Sequence, residues 1–420
     1  MNRKEILQPP NTEPRFFYGY IVVIAAFIIL LVSFGVLHSF GVFFKPILTE
    51  FDWTRAATSS AFSLAFIVQG ILGIIMGGLN DRFGSRILMT FCGILLALGY
   101  VLMSQINTIG QLYLFYGVII GVGMAGVYIP ILSTVARWFV KRRSLMTGIV
   151  LAGLAAGTFT MPPIINWLIY TYDWRMSFII VGILILVVVV IAAQFLRINP
   201  GQIRQLPDGK EPSRQELESV REGFSLRESI RTRQFWIAFT ILFCLAFYIF
   251  VITVHIVPYA TDIGISATNA ANILATFGGL GIVGRVVSGF VADRVGNRKV
   301  LIIGFALILA SSFLLVLPAT ELWVLYIYAA VLGFASSGTG ALASPLIADL
   351  FGMRSHGLIF GIVGSGYTIG GASGPIVAAY TFDTMGSYRV SFLVCAALSA
   401  LGLLLAIIIR PTRSSQEIRT

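Results

Sequence analysis

The chain has 420 residues, of which 57% are hydrophobic and 11% charged, and its mean hydropathy is +0.90. So apolar a composition excludes a soluble globular domain and points to a polytopic helical membrane protein, since a β-barrel would show short alternating runs instead. The net charge of +11 is distributed as membrane topology and not as a nucleic-acid surface.

The N-terminal tail, 1–16, carries no secretory signal, and the first apolar run is long enough to stay as a span. Hydropathy predicts twelve spans, at approximately 17–44, 57–79, 86–104, 110–136, 144–170, 175–196, 235–260, 268–292, 299–318, 322–349, 356–381 and 387–410. They form an N-terminal six-helix half, 17–196, and a C-terminal one, 235–410. A linker, 197–234, joins the halves, and a tail, 411–420, follows the second.

Of the 29 Lys and Arg residues, only Lys45, Arg55, Arg175 and Arg389 fall in the loops of one side, and Arg285 lies within a span. All others share the side of both termini, which predicts cytoplasmic termini and a cytoplasmic linker. Residues Arg197 to Arg233 of the linker mix both signs of charge and suit a hinge-like connection with a short surface helix. Cys92, Cys244 and Cys395 all fall in apolar runs without metal-ligand spacing, and read as packing residues. No metal site is expected.

The eighth span, 268–292, is uncharged but for Arg285, about 12 Å from the end at Asp293 by a helical rise of about 1.5 Å per residue. An ionisable group at that depth is a functional-site hypothesis. Gly278, Gly281 and Gly289 share its helix face, so that close approach to the guanidinium is expected.

Sliding the chain over itself by about 212 positions reveals a repeat. GGLNDRFGSR at 77–86 aligns with SGFVADRVGNR at 288–298, Asp81 against Asp293 and Pro163 against Pro375, and DWRMSF at 173–178 with SYRVSF at 387–392. Two such halves place a substrate site near the midplane between them. The D-R-x-G-x-R loops resemble the signature of the major facilitator superfamily, carried by Gly78, Asp81, Arg82, Gly84 and Arg86 and again by Asp293, Arg294, Gly296 and Arg298. The resemblance implies an all-α fold of twelve transmembrane helices in two pseudo-symmetric halves. These residues read either as a conformational latch, Asp and Arg capping helix ends and pairing across them, or as topogenic charge in tight turns.

RWFVKRRSLMTGIVLAGLAAG, from Arg137 to Gly157, is similar to the monocarboxylate transporter family and to oxalate/formate antiporters, as are FYGYIVV at 17–23, VFFK at 42–45, GVGMAGVYIP at 121–130 and HIVPYATDIGIS at 255–266. The resemblance implies a plasma-membrane protein of the bacterial proton-coupled lactate transporter type, in a bacterium the inner membrane, and that Arg285 stands where the family's eighth helix binds the substrate carboxylate. Where animal members have a proton-handling aspartate, four residues earlier, this chain has Gly281. His38 falls where they have a helix-1 lysine.

Every Asp and Glu lies in a tail, a loop or a span end, so an anion is the natural counterion of Arg285, two parallel hydrogen bonds holding a carboxylate. The bland alternative is an arginine clamped to backbone carbonyls. His38 in helix 1 and His255 in helix 7 are candidates for the coupling proton, against a reading as interhelical hydrogen-bonding residues. His255 also counts among the expected substrate contacts, with Tyr128, Leu154, Gly281, Ser336 and Tyr367, and Ser337 is a further lining candidate. His356, beside Arg354 in a loop, is expected to be solvated. The glycines of the fifth and eleventh spans read as close helix contacts or as sliding surfaces.

No phosphate-cradling loop for an ATP-driven pump and no catalytic cluster is present. The expectation is a secondary active transporter, not an enzyme, carrying small monocarboxylates such as L-lactate or pyruvate by proton symport with alternating access. It needs no cofactor, the proton being the coupling ion, and its partners are the substrate and the lipid bilayer. An oxalate/formate-type anion exchanger and a non-transporting anion sensor on a transporter fold remain alternatives. The eleventh span has no lysine of the kind oxalate/formate exchangers carry there.

Overall fold

The computed structural model describes residues 17–53, 55–203, 205–209, 223–316 and 321–410. The two tails and linker residues 210–222 lie outside them. The N-terminal half holds α1 (Gly19–His38), α2 (Phe40–Phe51), α3 (Arg55–Phe83), α4 (Ser85–Met103), α5 (Ile109–Leu112), α6 (Gly121–Ala125), α7 (Tyr128–Trp138), α8 (Arg143–Tyr172) and α9 (Trp174–Gln194). A short helix, α10 (Leu226–Ile230), precedes α11 (Arg233–Asp262), α12 (Ala267–Val295), α13 (Asn297–Val316), α14 (Leu322–Ala341), α15 (Ala343–Phe351), α16 (His356–Met385) and α17 (Arg389–Ile408). Among the described residues, eleven helices are long and apolar enough to cross a membrane, and α16, of 30 residues, takes the remaining place in the twelve-helix pattern. The protein is a multi-pass membrane protein.

Three predicted spans are broken helices. The first divides at Ser39, whose hydroxyl donates to the Gly35 carbonyl. The fourth starts at a capping box of Thr108 and Gln111, passes through a π-helical stretch, Tyr113–Ile120, and kinks before Pro130; the tenth breaks between α14 and α15, ahead of Pro345. Proline removes a helical donor and crowds the preceding turn. The expected surface helix of the linker is α10, capped by Ser225 with Glu228.

The repeat is visible in the backbone. Gly84 and Gly296 stand at φ +86° and +94°, conformations an L side chain rarely adopts, and each turns one long helix sharply into the next. Asp81 and Asp293 lie just before these turns, on a face of the molecule that we call inner.

The halves meet along two seams, α8 against α12 and α3 against α16. Both seams are tight toward the inner face. A Cβ on Gly148 would lie 2.4 Å from the Arg285 carbonyl oxygen, one on Gly289 2.4 Å from that of Ser144, and one on Gly77 2.3 Å from that of Gly357. Only glycine lets backbones approach so closely. Farther out the α8–α12 seam parts: Gly278 and Gly279, about two helical turns beyond Arg285, face open space. The α8–α12 seam is thus close-packed on its inner side and parted farther out, whereas the α3–α16 seam stays close, a Cβ on Gly70 lying 2.7 Å from the Thr368 side chain.

Candidate substrate site and inner latch

Arg285 sits where the tight part of the seam ends. Its Nη1 donates to the Leu151 carbonyl of α8 at 3.1 Å. Among the described residues its guanidinium forms no ion pair with a carboxylate. The backbone contact positions the cation while leaving most of its five N–H donors for another partner.

Three expected site residues share the electrostatic surroundings of Arg285. They are His38 of α1, Tyr128 of α7 and Tyr367 of α16. Aromatic rings wall this group: Phe34 lies 5.9 Å from His38 and 6.1 Å from Tyr128, Phe66 stacks on His38 at 6.5 Å, and Phe250 meets Tyr367 edge-on at 6.0 Å. Leu154 lies one turn from Leu151 on α8, and its carbonyl accepts a hydrogen bond from Thr158. Thr158 in turn contacts His38 Nδ1 at 2.9 Å. Thr158 and the Leu151 carbonyl went unforeseen; the available signal was their spacing from Leu154, four residues one way and three the other, which puts all three on one helix face.

Other expected contacts are not brought together here. His255 is tied within the C-terminal half, its Nε2 3.1 Å from the Pro375 carbonyl and its Nδ1 3.3 Å from the Tyr388 hydroxyl. These contacts occupy both ring nitrogens. Gly281 does not open a path to Arg285: a Cβ there would lie 2.6 Å from the Ser337 hydroxyl, so the missing side chain accommodates α14. The expected open glycine face is divided, with Gly289 against α8 and Gly278 alone in open space. Ser336 is fully buried.

The inner face holds the latch. Asp293 accepts from the Ser144 and Leu145 amides at 2.8 and 2.9 Å, so a carboxylate of one half caps α8 of the other, where orphan donors and the helix dipole favour negative charge. Asp81 stands beside the matching turn of α16, at Gly357 and Leu358, and forms an ion pair with Arg137 at 2.7 Å. Asn297 links Ser144 to Asp349, which also faces Arg143 at 3.5 Å. The aspartates therefore do cap helix ends, but the expected pairing with the loop arginines is corrected. Arg86 bonds Gln194, Arg298 the Ile407 carbonyl, and Arg82 and Arg294 lie over Phe83 and Phe290. These four arginines thus engage groups of their own half.

His356 is a second correction. It is fully buried, with Nδ1 3.2 Å from the Ser133 hydroxyl across the seam and Nε2 3.1 Å from the Ser344 carbonyl. Closure of the halves covers what the sequence presents as a loop.

Two repeated six-helix halves around a half-buried cation with no carboxylate partner among the described residues are the architecture of a membrane transporter, and the comparisons place the chain in the major facilitator superfamily of transporters. Residues 22–294 and 240–420 match the family model described as Major Facilitator Superfamily. The fold agrees: the E. coli fucose:proton symporter FucP superimposes with a TM-score of 0.68 at 17% identity, covering 94% of this chain and all of that one. A FucP structure in the outward conformation gives 0.69 at the same identity.

Within that superfamily the chain belongs to the monocarboxylate transporters. It is 30% identical over 381 residues to monocarboxylate transporter 13 of Bos taurus, spanning 90% of this chain and 86% of the relative. It is equally identical over 414 residues to monocarboxylate transporter 11 of Homo sapiens, spanning 93% and 82%.

Proposed function

We propose that the protein carries small monocarboxylates such as L-lactate or pyruvate across the plasma membrane by proton symport. Arg285 binds the substrate carboxylate, and the termini face the cytoplasm. The observation that carries this reading is Arg285 itself, a cation at the seam whose described contacts include a backbone carbonyl but no acid. A carboxylate supplies the missing charge through charge-assisted hydrogen bonds. Tyr128 and Tyr367 offer hydroxyls for a substrate hydroxyl or keto oxygen, and Leu154 bounds the space for a methyl group.

His38 is the better carrier of the coupling proton. It shares the surroundings of Arg285, while His255 is held inside its own half. Protonated His38 and a carboxylate on Arg285 together make a load whose charges nearly cancel. Latch residues Asp81 and Asp293 hold the outward-open state until this load is in place. The test is uptake of labelled L-lactate into proteoliposomes with and without an inward proton gradient. Gradient-driven uptake that disappears in Arg285→Gln is expected; uptake that needs a loaded counter-anion instead would establish exchange, and binding without flux a sensor.

A further inference from the structure

Thr158 has one hydroxyl proton and two neighbours that can engage it. Its Oγ1 lies 3.0 Å from the Leu154 carbonyl, four residues back on α8, and 2.9 Å from Nδ1 of His38 on α1. A carbonyl can only accept. If the proton pointed to the imidazole, Oγ1 and the Leu154 oxygen would face each other lone pair to lone pair at hydrogen-bond distance. If the proton goes to Leu154, Oγ1 accepts from Nδ1–H and both contacts are hydrogen bonds.

We infer that Thr158 is a positioning residue for proton coupling: it fixes His38 as the Nδ1–H tautomer, so that Nε2 is the atom that takes up and releases the proton. The inference rests on the reading of His38 as proton carrier and deepens it. Nε2 has no hydrogen-bond partner among the described residues, unlike the ring nitrogens of His255 and His356, all of which are engaged. The tautomer of an imidazole is set by the bond its other nitrogen makes. Around the ring stand Phe34 of its own helix, Phe66 of α3 and Thr158 of α8. Arg285 of α12 acts on it through charge, with Tyr128 and Tyr367 as the titratable neighbours of that arginine. Once Nε2 is protonated, Nδ1–H still rests on Thr158 and the new N–H is free to face a bound carboxylate.

The bond to Thr158 favours the charged ring over the neutral one, because a hydrogen bond from a cation is about twice as strong as one between neutral groups. Removing the acceptor makes protonation harder. Thr158→Val, nearly isosteric, therefore lowers the midpoint of the pH–uptake curve by roughly half to one pH unit, and Thr158→Ser restores it.

The direct readout is the nitrogen-15 spectrum of histidine-labelled protein in liposomes, with His38→Gln identifying the His38 signals. At alkaline pH the wild-type ring should carry its proton on Nδ1, and Thr158→Val should mix the tautomers. A wild-type ring protonated on Nε2 overturns the inference without recourse to any variant, as does a Thr158→Val protein with unchanged spectrum and pH curve. Gradient-driven uptake that survives His38→Gln would sink the coupling role, while the spectrum still decides whether Thr158 sets the ring.

Discussion

The inner and outer parts of the seam between the halves are built from the same helices, yet they use charge and glycine in opposite ways. On the inner side Asp81, Asp293, Arg137 and Arg143 each have a partner, and glycines bring backbones together. Farther out, among the described residues, Arg285 has no carboxylate partner and a Cβ on Gly278 would meet nothing within 4 Å. The lesson is that closure consumes charges and close packing, whereas binding needs a charge left over. A carrier must exchange these roles during its cycle, and each substitution below tests one side of the contrast.

The largest effect is expected at the unspent charge. Arg285→Gln should weaken lactate binding by about 2–5 kcal/mol, the usual cost of truncating one partner of a buried charge pair, or at least roughly thirtyfold in the dissociation constant. Calorimetry on the purified protein measures it. Native affinity in this variant would remove the outer part's claim to the substrate.

Close packing comes next. Gly148→Val places a side chain against the Arg285 backbone and should oppose inner closure by about 1–3 kcal/mol, the cost of overpacking, whereas Gly278→Val meets open space and should leave that closure unchanged. Spin-label distances across the inner seam report the difference. Equal responses from the two glycines would erase the contrast.

The latch charge should matter less. Asp293→Asn keeps one acceptor but loses the charge over the N-terminus of α8, which is worth about 0.3–1 kcal/mol, so the ratio of inner-closed to inner-open molecules should fall by roughly twofold to fivefold in the same distance measurement. No change would assign closure to the glycines alone.

The smallest effect belongs to a pair that crosses no seam. Glu50 of α2 accepts from Arg175 at 2.6 Å and from the Trp174 indole at 2.7 Å, both of α9 in the same half. The Arg175 hydrogen bond holds the Glu50 carboxyl below the usual carboxylate range, against a smaller opposing push from burial. A folded-state pKa below the unfolded value gives stability that is present above the unfolded pKa, roughly 4.3, and is lost as pH falls through the folded one. Glu50→Gln should therefore lower the melting temperature by no more than about 2 °C at pH 7, with the difference closing below about pH 4 and the seam distances unmoved.

Much of this was legible beforehand because the bilayer makes local sequence speak for depth. The span expected at 268–292 is α12, Ala267–Val295, and the 212-residue offset reappears as the paired turns at Gly84 and Gly296. Arg285 stood out for the same reason: in an apolar run one cation is visible without any partner. Breaks within spans were less legible, since hydropathy runs on through the kinks at Ser39 and before Pro130 and Pro345.

Partners were not legible at all. The sequence by itself determined the apolar spans, the twofold repeat, the paired aspartates and the single arginine within a span, because hydrophobicity and charge are properties of short stretches. Only the tertiary structure decided that His38 shares the electrostatic surroundings of Arg285 while His255 is bonded to Pro375 and Tyr388, that Gly281 makes room for Ser337, and that His356 is buried. Those outcomes depend on how two halves about two hundred residues apart in sequence come to rest against each other. No local pattern encodes which face of a helix will meet another half and which will be left open.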